Sequence, residues 1–219
     1  MAKRYCNILF DLDGTLTDSA PGVARSVQYA LKKFKISAEL GDLIPFIGPP
    51  LQHSFQNHYG FSEEEAKKAV AFYREYYREK GIYENKVYTG IAELLAELKN
   101  REVSLYLATS KPTFFAGQVL ANFDLTKFFK GITGSNLDGT RVDKTEVITH
   151  VITENKLATE KTLMVGDREH DIIGARNCNI DSAAVAYGYG TEEELTAARP
   201  TYLVKSVREF KNLLLNLTC

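Results

Sequence analysis

Short apolar runs alternate with segments of helical periodicity along most of the chain. Residues that favour strands form six runs, at 6–10, 103–108, 131–133, 162–165, 182–186 and 201–204. Helical spacing is found in five further segments, at 91–99, 112–122, 144–155, 171–178 and 207–215. Nearly continuous apolar runs are typical of parallel strands that are covered on both faces. The pattern therefore predicts a doubly wound α/β fold with a parallel sheet.

Residues 18–85 depart from this alternation. They show helical periodicity without a convincing strand, in the segments 23–34, 39–46, 51–59 and 63–80. We therefore predict two domains, an α/β core made of residues 1–17 and 86–219 and a small α-helical cap domain made of residues 18–85. Ligands of open α/β sheets bind at the carboxyl ends of the strands. We expect the inserted helices to lie over that end of the first strand.

The composition narrows the classes of partner. The net charge of -1 gives no basic face for a nucleic acid polymer or an anionic membrane, so neither is expected to bind. The three cysteines, Cys6, Cys178 and Cys219, are too few and too scattered for a disulfide framework or a zinc site. We expect reduced thiols in a cytoplasmic protein, because no signal peptide or membrane-spanning run is present. The sequence does not indicate an oligomeric state.

Two acidic residues come directly after the first predicted strand. Asp11 and Asp13 flank Leu12 and are followed by Gly14 and Thr15. Carboxylates this close raise each other's pKa and destabilise the fold unless a cation lies between them or a proton is to be moved. The pattern is consistent with a nucleophile and a general acid/base, and a solvated acidic turn is the structural alternative.

Three more groups follow strand ends or begin helices. Thr109 and Ser110 follow the second strand, Lys144 begins a helix, and Asp167 and Asp171 follow the fourth strand. Taken singly, they could be a helix cap, a surface lysine and a polar loop. Taken in order, they place hydroxyls, a cation and carboxylates at one edge of one sheet. Oxygen ligands of this kind suit Mg²⁺.

This order of motifs resembles that of the haloacid dehalogenase superfamily, and the resemblance covers the whole chain. The matching segments are FDLDGTLTDS, LATSKP, Lys144 and VGDREHDIIGAR. The helical insert resembles the small α-helical cap of that superfamily. Within it the chain is similar to the phosphoglycolate phosphatase-like branch. The segments PFIGPPLQHSF and AYGYGTEEEL are most similar to those of bacterial 5′-nucleotidase-like members.

The resemblance implies roles for the four aspartates. Asp11 would attack phosphorus and form an aspartyl phosphate. Asp13 would protonate the leaving oxygen and then accept a proton from water. Mg²⁺ would be held by the Asp11 carboxylate, the Asp13 backbone carbonyl and Asp167, with Asp171 orienting a metal-bound water.

The resemblance also implies a set of groups that bind the phosphoryl oxygens. Thr109 and Lys144 would contact these oxygens together with the backbone N–H groups of Leu12, Asp13 and Ser110. Phosphoryl transfer depends mainly on positioning and on compensation of negative charge. The predicted Mg²⁺ and Lys144 would supply that positive charge.

Recognition of the leaving group is expected from the cap and from core residues that face it. We predict that Gln52 or His53 contacts substrate, and that Lys111 and residues 187–190 face the cap. An exposed polar role for His53 is the alternative.

The sequence therefore predicts a Mg²⁺-dependent phosphomonoesterase that acts on a small phosphorylated metabolite, with 5′-nucleotidase as the first assignment and phosphoglycolate phosphatase as the second. Two other classes stay open. A sugar-phosphate mutase or phosphotransferase would use a second substrate in place of water. A phosphate-sensing binding module would keep the core without catalysis.

Overall fold

The computed structural model describes residues 4–218, and the chain divides into two compact units. The larger unit contains the chain up to Thr17 and from Val87 onward, and the smaller unit contains Asp18–Lys86. The second boundary lies one residue later than the sequence predicted.

The larger unit is built on a six-stranded sheet in which every strand pair is parallel. The strands of the chain are β1 (Asn7–Phe10), β2 (Thr17–Asp18), β3 (Lys86–Val87), β4 (Ser104–Pro112), β5 (Gly131–Ser135), β6 (Thr162–Gly166), β7 (Asp181–Val185) and β8 (Tyr202–Val204). The order in the sheet is β5-β4-β1-β6-β7-β8, while β2 and β3 pair with each other where the chain passes between the units. The predicted doubly wound α/β sheet is confirmed.

Nine α-helices are present among the described residues. They are α1 (Ala20–Lys33), α2 (Leu51–Tyr59), α3 (Glu63–Glu79), α4 (Ile91–Asn100), α5 (Thr113–Asn122), α6 (Lys144–Asn155), α7 (Glu169–Asn177), α8 (Glu192–Ala198) and α9 (Val207–Leu217). The segment Leu40–Phe46, which was expected to be helical, is a 3₁₀ helix that contains Pro45. Proline lacks the N–H that a regular helix interior requires.

The central strand β1 carries the core of the larger unit. Its residues Ile8, Leu9 and Phe10 are fully buried, because β4 and β6 border the strand on its two sides and helices cover both faces. Leu9 packs in a cluster with α6 and α7 residues, whereas the Phe10 ring contacts Phe210 of α9. The end of β1 is therefore a rigid platform for the residues that follow it.

The smaller unit is a helical domain with its own core. Its longest helix, α3, begins with a capping box in which Ser62 and Glu65 satisfy each other's backbone N–H groups. Tyr73 and Tyr77 are buried on α3 and stack at 5.4 Å between ring centroids. These contacts follow the helical spacing of the sequence.

One expectation about the cysteines is wrong. Cys178 is a free thiol as predicted, but Cys6 takes part in a disulfide bond. Cys219 lies outside the described residues. Sequence spacing gave no indication of this, because disulfide pairing depends on which residues the fold brings together.

Within residues 4–218, no helix has both the length and the apolar character that crossing a lipid bilayer requires.

Candidate active site

The loop after β1 folds tightly enough to bring its two aspartates to the carboxyl end of the sheet. Asp11 continues the strand, since its N–H donates to the Val165 carbonyl at 2.8 Å. Leu12 then accepts hydrogen bonds from the N–H groups that end the turn, among them that of Thr17 at 3.0 Å. Gly14 has a φ of +84°, and a Cβ there would lie 2.1 Å from Asp167 Oδ2. Only glycine permits this close approach.

Three carboxylates meet at this edge of the sheet. Asp11, Asp167 and Asp171 each offer an oxygen, and these oxygens lie within 4.8 Å of one another. All three residues are buried, with at most 5% of their surface exposed. Asp167 accepts hydrogen bonds from Thr15 Oγ1 at 3.1 Å and from the Tyr189 N–H at 2.8 Å. The aspartates of the first and fourth motifs therefore converge as the sequence predicted.

Lys144 is buried against this cluster. Asp143 caps the helix α6, and Lys144 is its first residue. The Lys144 Nζ lies 2.7 Å from Asp11 Oδ1 and 2.7 Å from Asp171 Oδ1, and it donates to the Ala108 carbonyl at 3.1 Å. The residue is only 6% exposed, so the alternative of a surface lysine is wrong. Its ammonium contacts carboxylates here, whereas contact with phosphoryl oxygens stays a prediction.

The electrostatics of the cluster follow from burial. Burial raises the pKa of Asp11 to about 6, with the charges of Asp171 and Asp13 adding to the rise and that of Lys144 opposing it. Burial, followed by the charges of Asp11 and Asp171, raises the pKa of Asp167 well above its ordinary value. Burial alone would lower the pKa of Lys144, but Asp11 and Asp171 outweigh it and raise the pKa. Lys144 is thus a cation that only partly compensates the acids.

The donor set fits a divalent cation. Three buried carboxylates around one ammonium leave negative charge uncompensated, and such charge destabilises a protein interior. Mg²⁺ takes oxygen ligands and is held in proteins by one or two carboxylates with water or substrate phosphate. Asp11 and Asp167 are the carboxylates that would hold it, with Asp171 close by.

Asp13 does not join the three carboxylates through its side chain. Its Oδ2 accepts a hydrogen bond from Lys111 Nζ at 2.5 Å, and both side chains are nearly buried. Sequence reasoning missed this pair, because it assigned Lys111 to the leaving group. The two aspartates after β1 therefore have different lysines as partners, Lys144 for Asp11 and Lys111 for Asp13.

The remaining predicted core residues lie around the same point. Thr109 is 2% exposed and lies in β4 directly after Ala108, where the register with β5 begins to shift, and its Oγ1 accepts a hydrogen bond from the Lys111 N–H at 3.3 Å. Leu12 is fully buried beneath the loop, and Ser110 accepts a hydrogen bond from Ser135 Oγ at 2.8 Å through its carbonyl. Phosphate binding by these groups stays a prediction.

The loop at residues 187–190 packs on Asp167. The Tyr187 hydroxyl donates to the Thr15 carbonyl at 2.9 Å. A Cβ on Gly188 would lie 2.4 Å from Asp167 Cβ, and one on Gly190 would lie 2.1 Å from the Asp167 carbonyl oxygen. The sequence assigned this loop to the leaving group and missed its contact with Asp167. Gly188 and Gly190 were the signal in the sequence for this contact, since a glycine often marks a position where another backbone approaches closely.

Gln52 and His53 lie on α2 in the smaller unit. Gln52 is partly buried and His53 is exposed, with the Asn57 amide 3.2 Å from His53 Nε2. Contact of either residue with substrate stays a prediction.

Comparison with known proteins agrees with the geometry of the site. The profile of the haloacid dehalogenase-like hydrolase family matches residues 8–185. A 5′-nucleotidase of Pseudomonas aeruginosa is 48% identical over 214 residues, which is 97% of each chain. The tyrosine-protein kinase PtkA of Mycobacterium tuberculosis is 38% identical over 183 residues, and the match covers 84% of this chain and 62% of that protein.

A solved structure extends the comparison to three dimensions. The crystal structure of a predicted phosphatase from Clostridium acetobutylicum superposes with a TM-score of 0.95 at 46% identity, covering 98% of this chain and 100% of that one. The family profile spans the residues of the carboxylate cluster, Lys111 and Lys144, whereas the loop at 187–190 lies just beyond the matched range. The chain therefore belongs to the haloacid dehalogenase-like hydrolases and is a phosphatase of that family.

Proposed function

We propose that this protein is a Mg²⁺-dependent phosphomonoesterase that works through an aspartyl phosphate, and that its substrates are nucleoside 5′-monophosphates. The observation that supports the proposal most strongly is the buried cluster of Asp11, Asp167 and Asp171 with Lys144 Nζ 2.7 Å from two of the three carboxylates. A site this acidic binds an anionic phosphate only when cations compensate it, and Mg²⁺ would supply that charge when bound.

In the first half of the reaction, an Asp11 carboxylate oxygen attacks phosphorus. The bond between phosphorus and the leaving oxygen breaks, and an aspartyl phosphate forms. Asp13 donates its proton to the leaving oxygen, so that an alcohol departs. Lys144 holds Asp11 in place for the attack, since its Nζ binds Asp11 Oδ1 and is itself fixed by the Ala108 carbonyl.

In the second half, water attacks the same phosphorus. Asp13, now a carboxylate, accepts a proton from that water, and the bond between Asp11 and phosphorus breaks. Inorganic phosphate, the Asp11 carboxylate and protonated Asp13 result. Thr109, Ser110 and the N–H groups of Leu12 and Asp13 bind the phosphoryl oxygens, as positioning is the main requirement of phosphoryl transfer.

The nucleotide assignment is supported by the 48% identity to a 5′-nucleotidase over nearly the whole of both chains. Phosphoglycolate phosphatase is the alternative within the same mechanism, because the core residues act on the phosphoryl group whichever alcohol leaves. The likeness to PtkA keeps phosphotransferase activity as a second candidate, in which a hydroxyl replaces the attacking water. A cytoplasmic location stays a prediction.

A phosphatase assay tests the proposal. The native protein and Asp11→Asn are assayed on p-nitrophenyl phosphate with and without Mg²⁺. We expect Mg²⁺-dependent hydrolysis by the native protein and a loss of about 10⁴-fold or more in kcat/KM for the variant, typical of removing a nucleophile. Undiminished hydrolysis by Asp11→Asn would contradict the assigned nucleophile, and binding of phosphate without any turnover would favour a sensing module.

A panel of phosphorylated metabolites then identifies the substrate by comparison of kcat/KM. Nucleoside 5′-monophosphates are expected to rank above phosphoglycolate. Gln52→Ala and His53→Ala are expected to raise KM for the best substrate. Isomerisation of a sugar phosphate, or phosphate transfer to an alcohol or tyrosine acceptor in preference to water, would replace the hydrolase assignment.

A further inference from the structure

We infer that Lys111 is a positioning residue for Asp13. It holds one carboxylate oxygen of Asp13, so that the other is kept in place for the leaving oxygen and later for water. The inference rests on the proposed function, because it assigns to Asp13 the proton transfers described above.

The first observation is the asymmetry of the Asp13 carboxylate. Lys111 Nζ binds Oδ2 at 2.5 Å, and the side-chain exposures are 7% for Lys111 and 11% for Asp13. Asp13 Oδ1 is also buried but has no hydrogen-bond partner among residues 4–218. A carboxylate with one oxygen fixed by an ammonium cannot rotate freely, so Oδ1 is the oxygen left for a reacting group.

The second observation is the backbone that carries Lys111. Ala108 pairs with Thr133 and Pro112 with Ser135, so four steps along β4 correspond to only two along β5. The strand therefore bulges between these pairs. Bulges near active sites commonly redirect a side chain.

The bulge is held by specific contacts from β5. The Ser135 hydroxyl donates to the Ser110 carbonyl at 2.8 Å. A Cβ on Gly134 would lie 2.1 Å from the Lys111 carbonyl oxygen, which only glycine avoids. Within the bulge, the Lys111 N–H donates to Thr109 Oγ1. Because the fold fixes the Lys111 backbone on several sides, the ammonium reaches Asp13 from a defined direction.

The importance of this positioning depends on the leaving group of the substrate. An alkoxide is a poor leaving group and needs the proton of Asp13 as the bond to phosphorus breaks, whereas p-nitrophenolate leaves readily without one. Misplacement of a catalytic group by about 1 Å can slow a reaction about 10²-fold. Loss of Lys111 should therefore slow the cleavage of alkyl phosphates much more than that of p-nitrophenyl phosphate.

The experiment measures this dependence on the leaving group. Native protein, Lys111→Met and Lys111→Arg are assayed in excess Mg²⁺ on p-nitrophenyl phosphate, phenyl phosphate and a primary alkyl phosphate. Lys205→Met is the matched control, since Lys205 forms an exposed ion pair with Glu192 at 2.6 Å. For Lys111→Met we expect a loss of about 10²-fold in kcat on the alkyl phosphate, little change on p-nitrophenyl phosphate, and partial recovery in Lys111→Arg.

Gly134→Ala provides a second variant that keeps the lysine. Its added Cβ displaces the Lys111 carbonyl, so it should reproduce the same leaving-group dependence in a weaker form. Circular dichroism and the melting temperature establish that each variant folds.

The outcomes separate this inference from the proposed function. Equal losses on all three substrates would overturn the positioning role, as would no loss on any. An increase in KM confined to substrates with a second anionic group would also overturn it and assign Lys111 to the leaving group. An inactive native protein would overturn the proposed function, and this inference with it.

Discussion

The two ends of the central sheet both contain carboxylates, but the charge of these carboxylates is compensated differently at each end. At the amino end, the Tyr5 hydroxyl donates to Asp181 Oδ2 at 2.5 Å and lies 3.2 Å from the Tyr202 hydroxyl. Burial, followed by the hydrogen bonds to Asp181 and Tyr202, raises the pKa of Tyr5, so it stays a neutral donor. At this end, the hydroxyl groups of Tyr5 and Thr201 donate hydrogen bonds to the Asp181 carboxylate.

At the carboxyl end, three buried carboxylates surround one ammonium, that of Lys144. Packing does not require this arrangement, and each uncompensated charge lowers the free energy of unfolding. The comparison indicates that the amino end contributes stability, whereas the carboxyl end carries an electrostatic strain that a bound divalent cation would relieve. Four predictions test this difference, in order of expected effect.

Lys144→Met should have the largest effect on stability. It removes the ammonium that two buried carboxylates share, and breaking a buried ion pair from one side typically costs about 3–5 kcal/mol. Urea unfolding of the metal-free protein at pH 7.5 measures the loss. Lys205→Met, which breaks an exposed pair, should change stability far less, because solvent screens that pair. Similar losses for the two variants would mean that the Lys144 cluster is no more strained than the surface.

The metal-free protein should lose stability as the pH rises from about 4 to 6. The pKa of Asp11 is about 6 in the folded protein and 3.8 unfolded, so the folded state binds more protons in this range. A rise of this size corresponds to a loss of about 3 kcal/mol that is complete above pH 6. The free energy of unfolding of native protein minus that of Asp11→Asn, measured at several pH values, isolates this contribution. A difference that does not change with pH would contradict it.

Asp167→Asn should stabilise the metal-free protein by about 1–2 kcal/mol, since it removes a buried charge at little change in volume. An asparagine can still accept from the Tyr189 N–H and donate to Thr15 Oγ1. The same variant should lack the rise in melting temperature that we expect Mg²⁺ to cause in the native protein. Thermal unfolding with and without Mg²⁺ measures both effects, and a destabilised variant that keeps the Mg²⁺ response would contradict the assignment.

Tyr5→Phe should have the smallest effect. It removes one hydrogen bond to Asp181 at the amino end, which typically lowers the free energy of unfolding by about 1 kcal/mol. Its kcat/KM on p-nitrophenyl phosphate should equal that of the native protein. A loss of activity without a loss of stability would show that the two ends of the sheet are coupled.

The sequence was sufficient for the fold and for the residues of the carboxylate cluster. Apolar runs predicted the six strands of the main sheet, and parallel strands necessarily bring their carboxyl ends to one edge. Asp11, Lys144 and Asp167 could therefore be placed together without coordinates. The position of each of these residues could be read from its immediate sequence neighbours, since each one follows a predicted strand or begins a predicted helix.

The pairing of Lys111 with Asp13 could not be predicted in this way. It depends on a register change between β4 and β5 and on the close approach of Gly134, residues far apart in the sequence. Period-two alternation assumes a regular strand and gives the wrong direction for a residue inside a bulge. The packing of residues 187–190 on Asp167 is equally non-local, as it requires Gly14, Gly188 and Gly190 to meet.

The position of β1 in the middle of the sheet has a consequence for how activity is lost. Its backbone is hydrogen-bonded to β4 on one side and to β6 on the other, and its side chains Ile8, Leu9 and Phe10 are inaccessible to solvent. Amides in such strands exchange with solvent only when the whole domain opens. Asp11, the proposed nucleophile, continues this strand, so we expect it to be attached to one of the slowest-exchanging parts of the chain. Denaturant should abolish turnover only at the concentration at which the entire α/β unit melts.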